Sequence, residues 1–170
     1  MSGENSKAED IVTIEAIPHA FARALDRRDA DAIRACFHPD GIDDHGMFKG
    51  TVDEFVPWVL NELARYERTQ HMINTQTVKI NGTKAGCESY FYSHHVLAGP
   101  EGPLQMRVSG RYLDTMEKRD GVWRITLRNF VVDWTDMSPL QEVPSEDGVT
   151  IWQGRADAED PSYAFFAKFE

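Results

Sequence analysis

Apolar positions recur at helical spacing in the first third of the chain and at a spacing of two afterwards. In residues 11–26 the apolar side is Ile14, Ile17, Phe21, Ala24 and Leu25. Pro18 either opens this helix proper or kinks it, because proline cannot donate to the carbonyl of residue 14. Asp29 is placed to cap a second short helix over 29–37, with Ile33, Cys36 and Phe37 on its apolar side. His38-Pro39-Asp40-Gly41 breaks it, and residues 42–49 read as a short strand. Thr51 and Glu54 form an S/T-x-x-E capping box for a third helix. Phe55, Val56, Trp58, Val59, Leu60 and Leu63 give that helix a broad apolar face, and Pro57 falls early enough to be tolerated.

From Gln70 the pattern predicts a meander of strands over 72–80, 84–97, 104–118 and 122–134. Asn81-Gly82 and Arg119-Asp120-Gly121 make tight turns, and Gly99-Pro100-Glu101-Gly102-Pro103 a wider one. Three helices followed by an antiparallel meander predict an α+β domain with its helices on one sheet face. Residues 1–10 are polar and acidic and read as a disordered tail; the domain proper is 11–135. Residues 136–170 form a Pro-, Asp- and Gly-rich extension carrying Trp152, Tyr163, Phe165, Phe166 and Phe169, expected to pack on its own domain or a neighbouring subunit.

The 170 residues suit one domain. With 28 acidic against 18 basic residues the net charge is -10. That charge argues against nucleic acid, which demands a basic face, and against anionic membrane surfaces. A neutral or apolar small molecule is the expected partner. No run approaches the roughly 20 apolar residues that span a bilayer, and the start lacks the basic and apolar regions of a signal peptide. A cytoplasmic protein is expected, with Cys36 and Cys87 as reduced, buried thiols. No local His, Cys or carboxylate spacing suggests a metal, and no glycine-rich phosphate loop or nucleotide fingerprint suggests a cofactor, so neither is expected.

Six signposts occur in order between residues 11 and 134. They are Ala24-Leu25-Asp26-Arg27-Arg28-Asp29, Phe37-His38-Pro39-Asp40, Asp44-His45-Gly46, Gln70-His71-Met72-Ile73-Asn74, Gly110-Arg111-Tyr112-Leu113-Asp114, and Arg119-Asp120-Gly121-Val122-Trp123-Arg124-Ile125. As a set they resemble the SnoaL-like branch of the nuclear transport factor 2-like superfamily, a cone-shaped, cystatin-like α+β fold. The sequence is similar to the lyases of that branch: scytalone dehydratase, bile-acid dehydratase and hexachlorocyclohexane dehydrochlorinase. The resemblance implies cofactor-free chemistry by an Asp on the first helix and a His opening the meander, positions held here by Asp26 and His71. It also places Arg128 as an assisting cation and His94 as a pocket residue on the middle strand. Trimers are frequent among these lyases, so a homo-oligomer, dimer or trimer, is expected. One departure stands out: Phe21 occupies the helix-one position where the dehydratases carry a carbonyl-polarising phenol, unless Tyr90, Tyr92 or His45 substitutes for it.

The residue chemistry supports the pair on its own terms. Imidazole can accept and return a proton near neutral pH, and a carboxylate on one ring nitrogen fixes its tautomer and steadies the imidazolium. Arg128 could stabilise a departing group, or could instead be an exposed strand residue paired with Asp114 or Glu117. Strict alternation places Glu88, Tyr90, Tyr92 and His94 on one face and Cys87, Ser89, Phe91 and His95 on the other. The Tyr90, Tyr92 and His94 face is assigned to the pocket, together with His45, Phe21 and Trp58 as substrate-binding residues. The leading expectation is a lyase for a hydrophobic aromatic or cyclic molecule, losing water, halide or a small carbon fragment such as formaldehyde. A ketosteroid-isomerase-type isomerase and a non-catalytic binding module are the alternatives.

Overall fold

The computed structural model describes residues 2–141 and 151–169. Its elements are α1 (Ser2–Asp26), α2 (Ala30–Ala35), β1 (Phe37–Asp44), β2 (Lys49–Thr51) and α3 (Val52–Leu63), then β3 (Arg68–Asn81), β4 (Lys84–Leu97), β5 (Leu104–Arg119), β6 (Val122–Pro139) and α4 (Pro161–Phe166). The six strands form one curved, open sheet in the order β2-β1-β6-β5-β4-β3, so the α+β expectation holds. β1 lies parallel to β6; every other neighbouring pair is antiparallel.

One face of the sheet carries the core. Ile14, Phe21, Ala24 and Leu25 of α1 and Val52, Phe55, Val56, Val59 and Leu63 of α3 are buried against Phe91, Tyr112, Met116, Trp123 and Ile125 of the sheet. The α3 start is as its pattern predicts: the Glu54 carboxylate accepts from the Thr51 backbone N–H and hydroxyl, both at 2.8 Å.

Which side chains reach this face is decided largely by irregularities in β6 and β3. Side chains alternate along a strand, and one extra residue reverses the parity beyond it. In β6, Trp123 and Ile125 point inward; Thr126 is then skipped in the pairing with β5, and Arg128 and Phe130 turn inward instead of Leu127. In β3 a shift between Ile73 and Gln76 keeps Ile73, Val78 and Ile80 on the core side. In β1 the alternation that buries Phe37 also buries Gly41 and Asp43, and it leaves Ile42 exposed. Gly110 marks a further irregularity of the β5–β6 pairing. A Cβ there would lie 2.0 Å from the Val131 carbonyl oxygen, so only glycine fits.

Several boundaries differ from expectation. Residues 2–10, read as a disordered tail, continue α1, and the Asp10 carboxylate accepts from Lys118 Nζ at 2.7 Å and Trp123 Nε1 at 2.8 Å. That anchor joins residues more than a hundred positions apart, which local patterning cannot show. The strand expected over 42–49 begins at Phe37, and a separate strand starts at Lys49. The meander opens at Arg68 rather than 72, and its last strand runs to Pro139.

Part of the extension, residues 142–150, lies outside the described residues. Its far end docks at the end of α1: Asp160 pairs with Arg27 at 3.1 Å, and the Arg23 guanidinium sits 5.1 Å from the Tyr163 ring centre. Among the described residues no helix is long and apolar enough to cross a membrane.

Candidate active site

Asp26 is the last residue of α1, and the packing of that helix on β3 carries its carboxylate to the start of the strand. There it accepts three hydrogen bonds: from Thr69 Oγ1 at 3.0 Å, from the His71 backbone N–H at 2.9 Å, and from His71 Nδ1 at 2.7 Å. An ionised carboxylate only accepts, so Nδ1 carries the proton and Nε2 is left as the basic nitrogen. The two side chains are 8% and 11% exposed, which shields the contact without sealing it.

His71 opens onto a cavity of about 130 Å³ beneath α3. His45, Trp58, Tyr66, Phe91, His95 and Phe130 are among its walls, and Tyr112 lies at its inner end. A dry cavity of about 150 Å³ is enough to hold benzene, so this space suits a single ring. His95 stands edge-on to His71 with ring centres 5.2 Å apart, and Tyr66 lies against it at 4.6 Å. Burial pushes the His95 imidazole down to about 4, with the neighbouring His71 acting in the same direction. At neutral pH His95 is therefore an uncharged wall.

A second imidazole on this cavity is held in the same manner. His45 Nδ1 meets Asp43 Oδ1 at 2.6 Å, and the ring stacks on Phe130 with centres 4.2 Å apart. Phe55 and Trp58 of α3 close over it at 5.4 and 5.7 Å.

Arg128 is placed differently from its expected role. It is clamped by Asp114 through two hydrogen bonds of 2.7 Å, the partner raised by the sequence, but it is fully buried where that alternative had it exposed. The guanidinium carbon lies 4.0 Å from the centre of Phe21 and 4.1 Å from that of Tyr112. Burial opposes its charge, but Asp114 outweighs that and raises its pKa further. Arg128 is not among the cavity-lining residues, so it is a structural cation and not one aimed at a leaving group. Phe21, expected in the substrate pocket, is a fully buried plate against this cation.

Of the residues assigned to the pocket, His45 and Trp58 line this cavity; Tyr90, Tyr92 and His94 do not. The buried face of β4 is Cys87, Ser89, Phe91, Ser93 and His95, and Tyr90 is 45% exposed on the other side. His94 instead bonds Gln105 and borders a separate groove of about 460 Å³ behind Asp26. The pocket assignment was one residue out of phase. The outer face is rich in aromatic and imidazole side chains, whereas the face that lines the cavity contributes Phe91, Ser93 and His95. Sequence reasoning also missed Asp43 and Tyr66. Cys36 and Cys87 are free and buried, with the Cys36 thiol pushed up to about 11 by burial. Among the described residues no group of three or more His, Cys, Asp or Glu is placed to hold a metal ion.

Comparison with known proteins fits this architecture. The model of the SnoaL-like domain matches residues 6–129. The structure of a candidate scytalone dehydratase from Novosphingobium aromaticivorans is similar at a TM-score of 0.70 and 19% identity, covering 87% of this chain and 99% of that one. A type 3 hexachlorocyclohexane dehydrochlorinase, LinA, from Novosphingobium barchaimii gives 0.74 and 16%, covering 84% and 100%. A type 2 LinA gives 0.72 and 16%, covering 86% and 100%. No curated protein sequence matches the chain.

Proposed function

From the membership of this chain in the SnoaL-like domain family, we propose that it is a lyase that removes a proton from a single-ring hydrophobic molecule with His71 as general base. The observation that carries this reading is the 2.7 Å contact of His71 Nδ1 with Asp26 at the wall of an apolar cavity. Asp26, held by three donors, fixes the ring so that Nε2 faces a bound C–H and stabilises the imidazolium formed when the proton moves. The cavity is lined by Phe91, Phe130 and Trp58, which keep bulk water from the developing carbanion. The electron pair of the C–H bond then expels the group on the adjacent carbon. Similarity in fold to a dehydratase candidate and two dehydrochlorinases supports elimination as the reaction class.

Cavity size favours this over isomerisation of a sterol, since about 130 Å³ leaves most of a four-ring skeleton outside. The test is to incubate the protein with single-ring β-hydroxy ketones and halogenated cyclohexanes and weigh the products. Loss of water or hydrogen halide that stops in Asp26→Asn supports the reading. A product of unchanged mass, or undiminished turnover by Asp26→Asn, overturns it.

A further inference from the structure

The cavity holds a second His–carboxylate pair whose surroundings differ from those of the first. Asp43 is fully buried, its Oδ1 is taken by His45, and its Oδ2 has no hydrogen-bond partner. Its neighbour across the β1–β6 pairing is Arg128, whose Nη1 is likewise buried and without a partner. Asp43 therefore faces a guanidinium already clamped by Asp114, and its hydrogen-bond partner in this buried group is the His45 ring. A buried carboxylate is costly unless a donor meets it, and here the donor is that imidazole. Asp26 is in a different position. A hydroxyl and a backbone N–H also donate to it, and it is partly exposed, so it does not depend on the His71 ring alone.

We infer that His45, oriented by Asp43, is a second catalytic residue, the proton donor to an oxygen atom of the substrate. This rests on the reading of His71 as base. The bond to Asp43 uses Nδ1 and leaves Nε2 for a molecule in the cavity, while stacking on Phe130 fixes the plane of the ring. In the elimination, His71 Nε2 takes a proton from carbon and the C–H electron pair becomes the new C=C bond. The adjacent C–O bond breaks with its pair on oxygen, and that oxygen takes the proton of His45 Nε2 and leaves as water. His71 ends protonated and His45 neutral, and one proton exchange with solvent resets both. Halide needs no proton to depart, whereas hydroxide does. The substrate class that uses both pairs is thus a single-ring compound with an oxygen leaving group.

The test uses 4-nitrophenol, a single ring whose absorbance reports its own ionisation. Bound to the full chain, it should ionise at a pH lower than the free phenol by at least about one unit, because an imidazolium stabilises the phenolate. His45→Gln should bind the phenol and abolish the shift; Asp43→Asn should diminish it, and His71→Ala should retain it. On a β-hydroxy ketone, His45→Gln should lose roughly 10²–10⁴-fold in turnover, and far less on a matched substrate with a halide leaving group. A shift that survives His45→Gln, equal losses on both substrates, or no binding at millimolar phenol would overturn the inference. Should His71→Ala leave turnover intact while the phenol shift follows His45, the base assignment fails and the oxyanion site stands.

Discussion

Two carboxylate–nitrogen pairs on the inner side of the sheet, Asp26–His71 and Asp114–Arg128, are built from the same kind of contact and come to opposite ends. Both are hydrogen-bonded at 2.7 Å. In the first, the partner is an imidazole ring with one nitrogen left over, set against a cavity. In the second, a guanidinium with no accessible proton chemistry is sealed between Phe21 and Tyr112 at no exposure. What separates them is their surroundings: one pair borders a cavity, and the other is closed in by packed side chains.

The contrast can be broken most directly at His71. His71→Ala should lower turnover of an eliminated substrate by about 10³-fold or more while the fold persists, read as kcat beside an unchanged far-ultraviolet circular dichroism spectrum. Arg128→Met should do the reverse. It leaves Asp114 buried and unpaired and should cost roughly 3–5 kcal/mol of stability, read as the denaturant midpoint. The double variant Arg128→Met/Asp114→Leu should recover much of that loss, because no orphan charge remains. A single variant as stable as the wild type would remove the distinction between the pairs.

The rim pair was legible in the sequence because helix, turn and strand signals put Asp26 at a helix end and His71 at a strand start, and the family signposts aligned both. The sealed pair was half legible: Asp114 was named as a partner, yet Arg128 was given a role at the leaving group. Nothing in the alternation of residues 122–134 announces that Thr126 is skipped, and that skip turns Arg128 into the core. Asp43 was hidden for another reason: a strand expected to start at Ile42 carries no parity signal from Phe37, and the strand that does start at Phe37 puts Asp43, not the apolar Ile42, on the inner face. On β4 the alternation itself was read without error and the wrong face chosen, since burial depends on which side the helices cover. The anchoring of Asp10 by Lys118 and Trp123 is a contact between distant segments, which local patterning cannot announce.

His95 offers a smaller test, because it shares the rim with His71 but carries no proton at neutral pH. Its folded-state value of about 4 lies below the ordinary 6.5 of an unfolded histidine. Above pH 6.5 both states are neutral and the shift has no effect. As pH falls from 6.5 to 4 the unfolded chain takes the proton and the folded one does not, so stability is lost across that window, by up to about 3 kcal/mol. His95→Gln should flatten this part of the stability profile, measured as Tm from pH 4 to pH 7. An unchanged acid slope would mean that His95 is not the buried neutral wall described above.

The least drastic change separates holding Asp26 in place from merely having it present. Thr69→Val keeps the shape of the side chain and removes one of the three donors to the carboxylate, leaving the backbone N–H and Nδ1 of His71. One hydrogen bond of this kind is worth about 1 kcal/mol, so stability should fall by about that much. Turnover should fall less than about tenfold, with KM unchanged, because Thr69 touches the orienting group and not the substrate. If turnover instead drops as far as in His71→Ala, the two remaining donors do not suffice to aim the ring. Asp26–His71 would then depend on a third member, as the sealed pair depends on its aromatic plates.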